Sequence, residues 1–364
     1  MEHRIIQKTA LFNFVVEITK NIGVSEKDAR CVADNLVLAD LRGVDSHGVA
    51  RLKRYVEGIQ SGYIIADAQP EIIRQNSVMA HVDGHNGLGQ VAGVFGMELA
   101  IEKAEKEGLG LVTVKNSNHY GIAGYYALMA LEKNLIGISL TNSAPLVVPT
   151  FGKNALLGTN PISMAVPTDK ERPWVVDMAT SVVPRGKLEV YNRLNKPLPE
   201  GWATDETGRV TSDAGRVLKN LLGRLGGGIL PLGGAGELYG GHKGYGLNML
   251  VDILCGVLPG SNYGADVVSK KEGKVCHPRV GHFFMALDPT FFMDEAEFKS
   301  KMDGYIQTLH NSEKAEGAER IWVHGEKEFL AEEERLKNGI PLDLPTVENL
   351  QELGEKYGVP IEFE

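Results

Sequence analysis

Cysteine is scarce in this sequence, whose 364 residues include only Cys31, Cys255 and Cys276. The three lie far apart and form no C-x-x-C pair, which argues against a disulfide framework and against a zinc site. No H-E-x-x-H or comparable spacing of ligands indicates another metal. We therefore expect reduced, mostly buried thiols and no metal centre.

Long apolar runs and an excess of basic residues are also missing. The best apolar stretch, "LNMLVDILCGVL" at 247–258, is too short to cross a bilayer and contains Asp252. The N-terminal "MEHRIIQKTA" lacks the apolar stretch of a signal peptide. Asp and Glu outnumber Lys and Arg by 47 to 38, and the net charge of −9 argues against a nucleic-acid surface. These absences favour a cytoplasmic protein that binds neither membranes nor nucleic acids.

The residues that are present predict an α/β protein with helices at both ends of the chain. Residues 1–75 predict helices, and Ser25 with Asp28 resembles a capping box before "EKDARCVADNLVLAD". Residues 76–300 alternate strands and helices, which is typical of an α/β domain. Residues 301–364 predict helices again, one of them starting at a Thr346 cap, and we expect them to pack with the N-terminal region.

A glycine-rich turn at 84–93, "GHNGLGQVAG", follows a predicted strand and opens a predicted helix, as a dinucleotide fingerprint would. Its spacing, Gly87-x-Gly89-x-x-x-Gly93, is one residue longer than G-x-G-x-x-G. The next strand ends without the acidic residue that would hold a ribose hydroxyl. A tight strand-to-helix turn is therefore a better interpretation than a Rossmann site.

The segment "DSHGVARLKRY" at 45–55 places an imidazole, a guanidinium and a phenol close together. If its helix begins near Ser46, then His47, Arg51 and Tyr55 recur at i, i+4 and i+8 on one face. Arginine suits a carboxylate because its planar fork makes two parallel charge-assisted hydrogen bonds. Histidine suits proton delivery because its ordinary pKa lies near neutral pH. The alternative is an ordinary basic surface helix whose cations lie in water.

Polar residues also follow later predicted strands, at the positions where ligands bind in α/β sheets. His119 lies in such a loop, "NSNHYGIAG", and is either an active-site group or part of a polar turn. The segments "GTNP" (158–161) and "VVDMATSVVPRGK" (175–187) follow strands too, and their candidates for ribose or phosphate contacts are Asp177, Thr180 and Ser181. The alternative for these residues is a strand end that caps a turn.

A second glycine-rich segment, "LGGAGELYGGHKGYGL" at 232–247, allows the backbone to approach a ligand closely. Lys243 stands near the start of a predicted helix, which suits a phosphate or another anion. The segment is not a P-loop, because His242 precedes the lysine and Gly244 replaces the serine or threonine. A flexible loop is the alternative.

Taken together and in order, these segments resemble the malate/L-lactate dehydrogenase family of the second type. The stretches that carry the resemblance run over nearly the whole chain and are "DLRGVDSHGVARLKRYVEGIQSG", "NSNHYGIAGYYALMA", "TNSAPLVVPTFGKNALLGTNPIS", "VVDMATS" with "RGK", "GGHKGYGLNMLVDIL" and "VHGEKEFLAEEERLKNGIPL". The resemblance implies an α/β fold with a mixed-sheet, non-Rossmann cofactor domain and a helical domain built from both chain ends. It also implies a homodimer with the active site near the interface.

The resemblance further implies which residues contact the ligands. His47 and His119 are the candidate proton donors, and the division of labour between them stays open. The implied substrate-pocket residues are Ser46, Arg51, Tyr55, Thr159 and Asn160. The implied contacts to NAD or NADP are Tyr120, Gly121, Ser143, Asp177, Met178, Ala179, Thr180, Ser181, Arg185, Lys187, His242, Lys243, Gly325 and Glu326.

We therefore expect reversible hydride transfer between NAD(P)H and C2 of a 2-oxo acid, with oxaloacetate and malate as the leading pair. Arg185 or Lys187 would hold the second carboxylate of this substrate, or instead the 2′-phosphate of NADP. Alternative substrates are lactate, sulfolactate, ureidoglycolate, diketogulonate and cyclic imino acids. A catalytically silent NAD-binding protein is another alternative. A hydrolase is more distant, because Ser46 lies in no G-x-S-x-G motif.

Overall fold

The computed structural model describes residues 3–364, in which strands and helices alternate around a central sheet. The strands, in chain order, are β1 (His3–Ile6), β2 (Glu71–Gln75), β3 (Met79–Asp83), β4 (Leu109–Ser117), β5 (Ile136–Thr141), β6 (Ile162–Val166), β7 (Trp174–Met178), β8 (Ala203–Thr204), β9 (Gly228–Ile229), β10 (Lys270–Lys271), β11 (Lys274–Val275), β12 (Val280–Leu287) and β13 (Ile340–Asp343). The α-helices are α1 (Lys8–Lys20), α2 (Glu26–Leu41), α3 (Leu52–Gln60), α4 (Gly89–Glu107), α5 (Ala123–Met129), α6 (Arg185–Arg193), α7 (Ala214–Gly223), α8 (Gly241–Asp252), α9 (Glu295–His310), α10 (Glu326–Asn338) and α11 (Leu344–Tyr357). Two 3₁₀ turns lie between α2 and α3, at Asp45–His47 and Val49–Arg51.

The central sheet has seven strands in the order β2-β3-β4-β12-β5-β6-β7. Strands β3 and β4 run parallel, because α4 crosses over between them, and the other neighbouring pairs of this sheet are antiparallel. Phe283 and Phe284 of β12 point to opposite faces, as successive strand residues must. Phe284 packs in the core under α4 and α5, while Phe283 packs with Val251 of α8 on the other face. The predicted mixed-sheet α/β fold is confirmed.

The two ends of the chain meet in a second core. Strand β1 pairs antiparallel with β13, and α1, α2, α3 and α11 surround a cluster of buried side chains that includes Phe14, Leu36, Leu52 and Leu350. Helices from the N-terminal and C-terminal segments therefore form one packed region, as expected. The division at residues 75 and 300 stays a prediction, and the second boundary falls inside α9.

The first residues of α2 and α11 test the two capping predictions. Ser25 Oγ accepts the N–H of Asp28 at 3.2 Å and donates to its carboxylate at 2.8 Å, which confirms Ser25 as the N-cap of α2. The Thr346 cap is wrong, because the side chain of Asp343 accepts the N–H of Thr346 at 3.0 Å and α11 begins directly after Asp343. Aspartate is a strong N-cap, and Pro345 fits the first helical turn, where its missing N–H costs nothing.

The first glycine-rich turn, at 84–93, serves the packing of the fold. A Cβ at Gly89 would lie 2.3 Å from the carbonyl oxygen of Asn118, and one at Gly93 would lie 2.5 Å from the ring of Tyr126. These glycines therefore let α4 pack closely on the loop after β4 and on α5. The interpretation as a tight structural turn accounts for the motif without a bound dinucleotide.

The remaining expectations from composition concern thiols and membranes. All three cysteines are free, with Cys255 buried and the other two half-buried. Within residues 3–364, no helix has both the length and the apolar character needed to cross a bilayer.

Candidate active site

The "DSHGVAR" segment forms two successive 3₁₀ turns in place of a helix start. Helix α3 begins only at Leu52, so the condition for His47, Arg51 and Tyr55 to share one helical face is not met. The helical path breaks at Gly48, whose ψ is −148°. The next residue, Val49, donates its N–H to the buried side chain of Asp40 at 2.8 Å. A tertiary hydrogen bond thus overrides local helix propensity and turns the histidine out of the helix.

The second histidine lies in the loop that follows β4, at the carboxyl end of a parallel strand. Strand β4 ends at Ser117, His119 follows two residues later, and α5 begins at Ala123. Gly121 in this loop has a φ of 83°, which glycine adopts without steric cost. Its N–H points at Nδ1 of His119 at 3.4 Å. The loop therefore holds the ring at the edge of the sheet where ligands of α/β proteins bind.

The two segments bring five predicted site residues into one cluster. The rings of His47 and His119 stack with centroids 5.5 Å apart and planes inclined by 21°. The Tyr55 hydroxyl lies 2.7 Å from Nδ1 of His119, and Ser46 Oγ lies 2.9 Å from Nδ1 of His47. Arg51 is held by its Nε, which donates to the carbonyl of Ser46 at 2.6 Å. Two imidazoles and a guanidinium therefore face one another, as the sequence predicts.

Hydrogen bonds at Nδ1 fix which nitrogen of His119 carries the proton. The N–H of Gly121 can only donate. The Tyr55 hydroxyl keeps its proton at neutral pH, because burial raises its pKa to about 12. With Gly121 donating to Nδ1, the proton of the neutral imidazole resides on Nε2. Nε2 is thus the atom of His119 that can donate to a ligand.

Both histidines are neutral at pH 7 in the free protein. Burial, followed by the charges of Arg51 and Arg54, lowers the pKa of His47 to about 4. Burial is also the main cause that holds the pKa of His119 well below its usual range, and the charge of Arg54 adds to it. Added positive charge is therefore unfavourable in this cluster until an anion enters.

A cleft of about 460 Å³ opens beside His47, which lines it, whereas His119, Arg51 and Tyr55 lie behind His47 and outside the lining. Its walls come from the His47 turn, the start of α5, the end of β7 and the loop before α10. Asp177, at the end of β7, accepts the N–H of Gly124 at 2.7 Å. It touches solvent in the cleft, yet the surrounding protein atoms limit its hydration and raise its pKa to about 6. The cleft therefore has the imidazole of His47 at one end and the carboxylate of Asp177 along its wall.

Seven of the predicted contact residues line this cleft, namely Ser46, His47, Gly121, Thr159, Asp177, Ala179 and Gly325. Ser143 lies behind Thr159, whose N–H donates to Ser143 Oγ at 3.0 Å. Met178 is exposed beside Asp177. Contact between these residues and a ligand stays a prediction, but the structure gathers them around one space.

Five further predicted contacts are almost completely buried: Tyr120, Asn160, Thr180, Ser181 and Glu326. Their polar atoms are used inside the protein. Tyr120 Oη lies 3.0 Å from Ser139 Oγ, and the Asn160 amide donates to Asn248 Oδ1 at 2.8 Å. Glu326 accepts hydrogen bonds from Val323 and Arg320. These side chains hold the walls of the cleft together, and their contact with a cofactor stays a prediction.

Four predicted cofactor residues lie outside the lining of the cleft: Arg185, Lys187, His242 and Lys243. All four are exposed. Arg185 forms an ion pair with Glu189 at 2.9 Å. Lys243 borders a second concavity, of about 410 Å³, formed with the glycine-rich loop before α8. The structure therefore does not bring the two lysines and His242 to the histidine pair within this chain.

The sequence reasoning missed Arg42 and the residues that α10 and its preceding loop place on the cleft, which are Trp322, His324, Lys327 and Glu328. Arg42 is buried, pairs with Glu332 at 2.9 Å and lies 4.3 Å from the ring of Phe329. Its place just before "GVDSHG" is a signal that could have been used. On the α10 side the sequence marks only Gly325 and Glu326, and the other residues reach the cleft through the tertiary fold.

The sequence and the fold of this chain are both similar to those of known proteins. A sequence profile of the malate/L-lactate dehydrogenases matches residues 6–351. The chain belongs to the malate/L-lactate dehydrogenase family. Among its relatives, a malate dehydrogenase of Pyrococcus horikoshii is 52% identical over 97% of this chain and 96% of its own length. A malate/(S)-sulfolactate dehydrogenase of Methanothermus fervidus is 38% identical over 96% and 97%. The crystal structure of malate dehydrogenase from Entamoeba histolytica superimposes with a TM-score of 0.94, with 39% identity and all of both chains covered.

Membership of the malate/L-lactate dehydrogenase family makes the chain an oxidoreductase of 2-hydroxy acids, as predicted. The expected class of cofactor, NAD or NADP, is confirmed for the family by the names of two further relatives. They are a ureidoglycolate dehydrogenase (NAD(+)) of Escherichia coli O157:H7, 30% identical, and a (2R)-3-sulfolactate dehydrogenase (NADP(+)) of Chromohalobacter salexigens, 34% identical.

Substitution of Arg51 tests whether its charge lowers the pKa of His47. Arg51→Met should raise the pKa of His47 above about 4, because the neighbouring positive charge is gone, while burial keeps it below the ordinary value. Arg51→Lys keeps the charge and should keep the pKa low. NMR titration of the His47 ring measures both, with Lys53→Met, at the start of the helix that follows Arg51, as the control. An unchanged pKa in Arg51→Met would contradict the coupling.

Proposed function

We propose that the chain catalyses reversible hydride transfer between NAD(P)H and C2 of a 2-oxo acid, with oxaloacetate and malate as the favoured pair. The observation that carries the proposal is the stacked His47–His119 pair, 5.5 Å between centroids, with the charge of Arg51 acting on it and His47 on the wall of a cleft. Reduction of a 2-oxo acid requires a proton donor and a carboxylate-binding group side by side.

The cleft suits a nicotinamide dinucleotide. Gly121 and Ala179 line it without bulky side chains, so a ligand can approach the backbone closely. The carboxylate of Asp177 suits ribose hydroxyls. These residues would hold the cofactor, and bound nicotinamide would supply the hydride.

Arg51 is the proposed clamp for the substrate carboxylate. Its Nε donates to the Ser46 carbonyl at 2.6 Å, so the guanidinium is anchored. The two terminal nitrogens can then make the parallel pair of charge-assisted hydrogen bonds that a carboxylate accepts. This pairing fixes the adjacent carbonyl group next to the imidazoles.

The proton is proposed to come from His47 or His119. In the free protein the charge of Arg51 helps to lower the pKa of His47 to about 4. A carboxylate bound to Arg51 offsets that charge and raises the pKa of the imidazole. Substrate binding therefore takes up the proton that the imidazolium then gives to the carbonyl oxygen, as the hydride arrives at C2.

A dicarboxylate substrate is favoured because a second cation lies near the cluster. A Cβ at Gly186 would lie 4.0 Å from Cβ of Ser46, so the start of α6 adjoins the His47 turn. Arg185 stands at that start as an ion pair with Glu189, and the charges of both reach Arg51. We assign Arg185 to the second acidic group of the substrate. The names of the Pyrococcus horikoshii and Methanothermus fervidus relatives, malate and malate/(S)-sulfolactate dehydrogenase, support a substrate with two acidic groups.

The histidines provide the direct test of this function. His47→Ala and His119→Ala should each lower kcat for oxaloacetate reduction by about 10²-fold or more, because acid catalysis is lost. His85→Ala, at an exposed histidine, is the control. NADH absorbance measures turnover, and a panel with pyruvate and sulfopyruvate ranks the substrates. Wild-type rates in both histidine variants would mean that the proton donors are wrong.

We also infer that the chain works as a homodimer. Helix α8 and the turn after it expose an apolar face formed by Leu247, Met249, Leu250, Ile253, Val257 and Leu258. Leu238 and Tyr239, in the loop before α8, are 84% and 81% exposed. A contiguous apolar face of this kind is typical of a subunit interface. A second copy of the chain would cover it near the Lys243 concavity.

Ile253→Asp should weaken this interface, because it places a charge on the apolar face. Leu336→Asp is the matched control, since both side chains are 49% exposed and Leu336 lies on α10. Sedimentation analysis should show a dimer for the wild type and the control, and monomer for Ile253→Asp. A wild-type monomer, or an unaffected dimer in Ile253→Asp, would contradict the assignment.

A further inference from the structure

Each of the two site histidines has a glycine close behind it, and each glycine touches a buried oxygen from α2. Gly48 follows His47, and Gly121 lies two residues after His119. The oxygens belong to Asp40 and Asn35, near the end and in the middle of the same helix. The two contacts are independent in sequence but alike in geometry.

The first contact joins Asp40 to the His47 turn. Asp40 is 1% exposed, and its Oδ2 accepts the N–H of Val49 at 2.8 Å. Its Oδ1 points along the Cα–H bond of Gly48, since a Cβ there would lie 1.8 Å from it. Oδ1 has no other hydrogen-bond partner among the described residues. One carboxyl group therefore holds two consecutive residues directly after His47.

The second contact joins Asn35 to the His119 loop. Asn35 is completely buried, and its amide nitrogen donates to the Tyr126 hydroxyl at 3.4 Å, which directs Oδ1 towards Gly121. A Cβ at Gly121 would lie 1.7 Å from that oxygen. Asn35 Oδ1 is likewise without another hydrogen-bond partner in residues 3–364. Gly121 in turn donates its N–H to His119 Nδ1.

We propose that Asp40 and Asn35 are positioning residues, through which helix α2 sets the spacing and orientation of the two site imidazoles. The inference rests on the proposed function, in which these imidazoles supply the proton.

Because the side-chain oxygens of Asp40 and Asn35 are buried, their contacts with the two glycines restrict where the histidine loops can lie. A buried polar oxygen without a conventional partner is costly, and a Cα–H donor satisfies it only partly. Such a contact also requires glycine, because any side chain would collide with the oxygen. The pair of contacts therefore ties both loops rigidly to one helix. A shift of about 1 Å in a catalytic group can lower turnover by about 10²-fold.

A double-mutant cycle tests the proposal at Asp40. Asp40→Ala should lower kcat for 2-oxo acid reduction by about 10-fold to 100-fold, with NADH affinity retained, because His47 is displaced while the cofactor wall is intact. In the His47→Ala background the same substitution should leave the residual kcat nearly unchanged, since the group it positions is absent. Asp40→Asn should recover most of the activity, because the amide oxygen can accept the N–H of Val49. Asn35→Ala should show the same pattern against His119→Ala.

The control is Asp28→Ala, which removes another buried acid at the start of the same helix. It should lower Tm without changing kcat. If Asp40→Ala does not fold, Gly48→Ala takes its place, because the added methyl group disrupts the same contact from the other side. A wild-type kcat in the Asp40 and Asn35 variants, or equal losses in both backgrounds, would overturn the inference alone. Full activity of His47→Ala and His119→Ala would overturn the proposed proton donors and the inference with them.

Discussion

The burial of the Arg51 charge beside two neutral imidazoles is the constraint on which the rest of the site depends. Two imidazoles lie with a guanidinium in one poorly hydrated cluster, and burial lowers the pKa of all three. Burying such a cluster lowers the free energy of unfolding. The surrounding contacts offset this loss and hold the cluster in place. An anionic ligand offsets the charge of Arg51, which raises the pKa of the imidazoles and favours their protonated form. In the proposed reaction, substrate binding and protonation of the imidazole therefore favour each other.

The elements that frame the site come from distant parts of the chain. Helix α2 and the two 3₁₀ turns carry His47, the β3-α4-β4 unit carries His119, and β7 carries Asp177. Helix α10 closes the far wall and reaches back to the His47 turn, where Arg335 pairs with Asp45 at 2.5 Å. Doubly wound sheets bind ligands at the point where the order of their parallel strands reverses. In the described part of this sheet only β3 and β4 run parallel, so it has no such point. The cleft lies instead at the ends of β4 and β7.

Much of this arrangement could be predicted from the sequence. The periodicity and length of the apolar patterns predicted the alternation of strands and helices. The family resemblance predicted the mixed sheet and the packing of the two chain ends against each other. Residues in short motifs, such as His47 in "SHG" and His119 in "NHYG", lie where they were expected. The Thr346 cap prediction fails for a local reason, because Asp343, three residues earlier, caps α11 instead. The break before α3 depends on a side chain nine residues away, since Asp40 accepts the N–H of Val49. Trp322 and Lys327 reach the cleft only because α10 packs there.

The most direct test of the central claim is a crystal structure of the protein with NADH and hydroxymalonate, a dicarboxylate that resembles malate. We expect one carboxylate of hydroxymalonate on the terminal nitrogens of Arg51. Its hydroxyl should lie about 2.6–3.2 Å from an imidazole nitrogen of His47 or His119. The nicotinamide ring should lie in the cleft lined by Asp177 and Gly325. Binding of both ligands away from the histidine pair, for example over Lys243 alone, would contradict the claim.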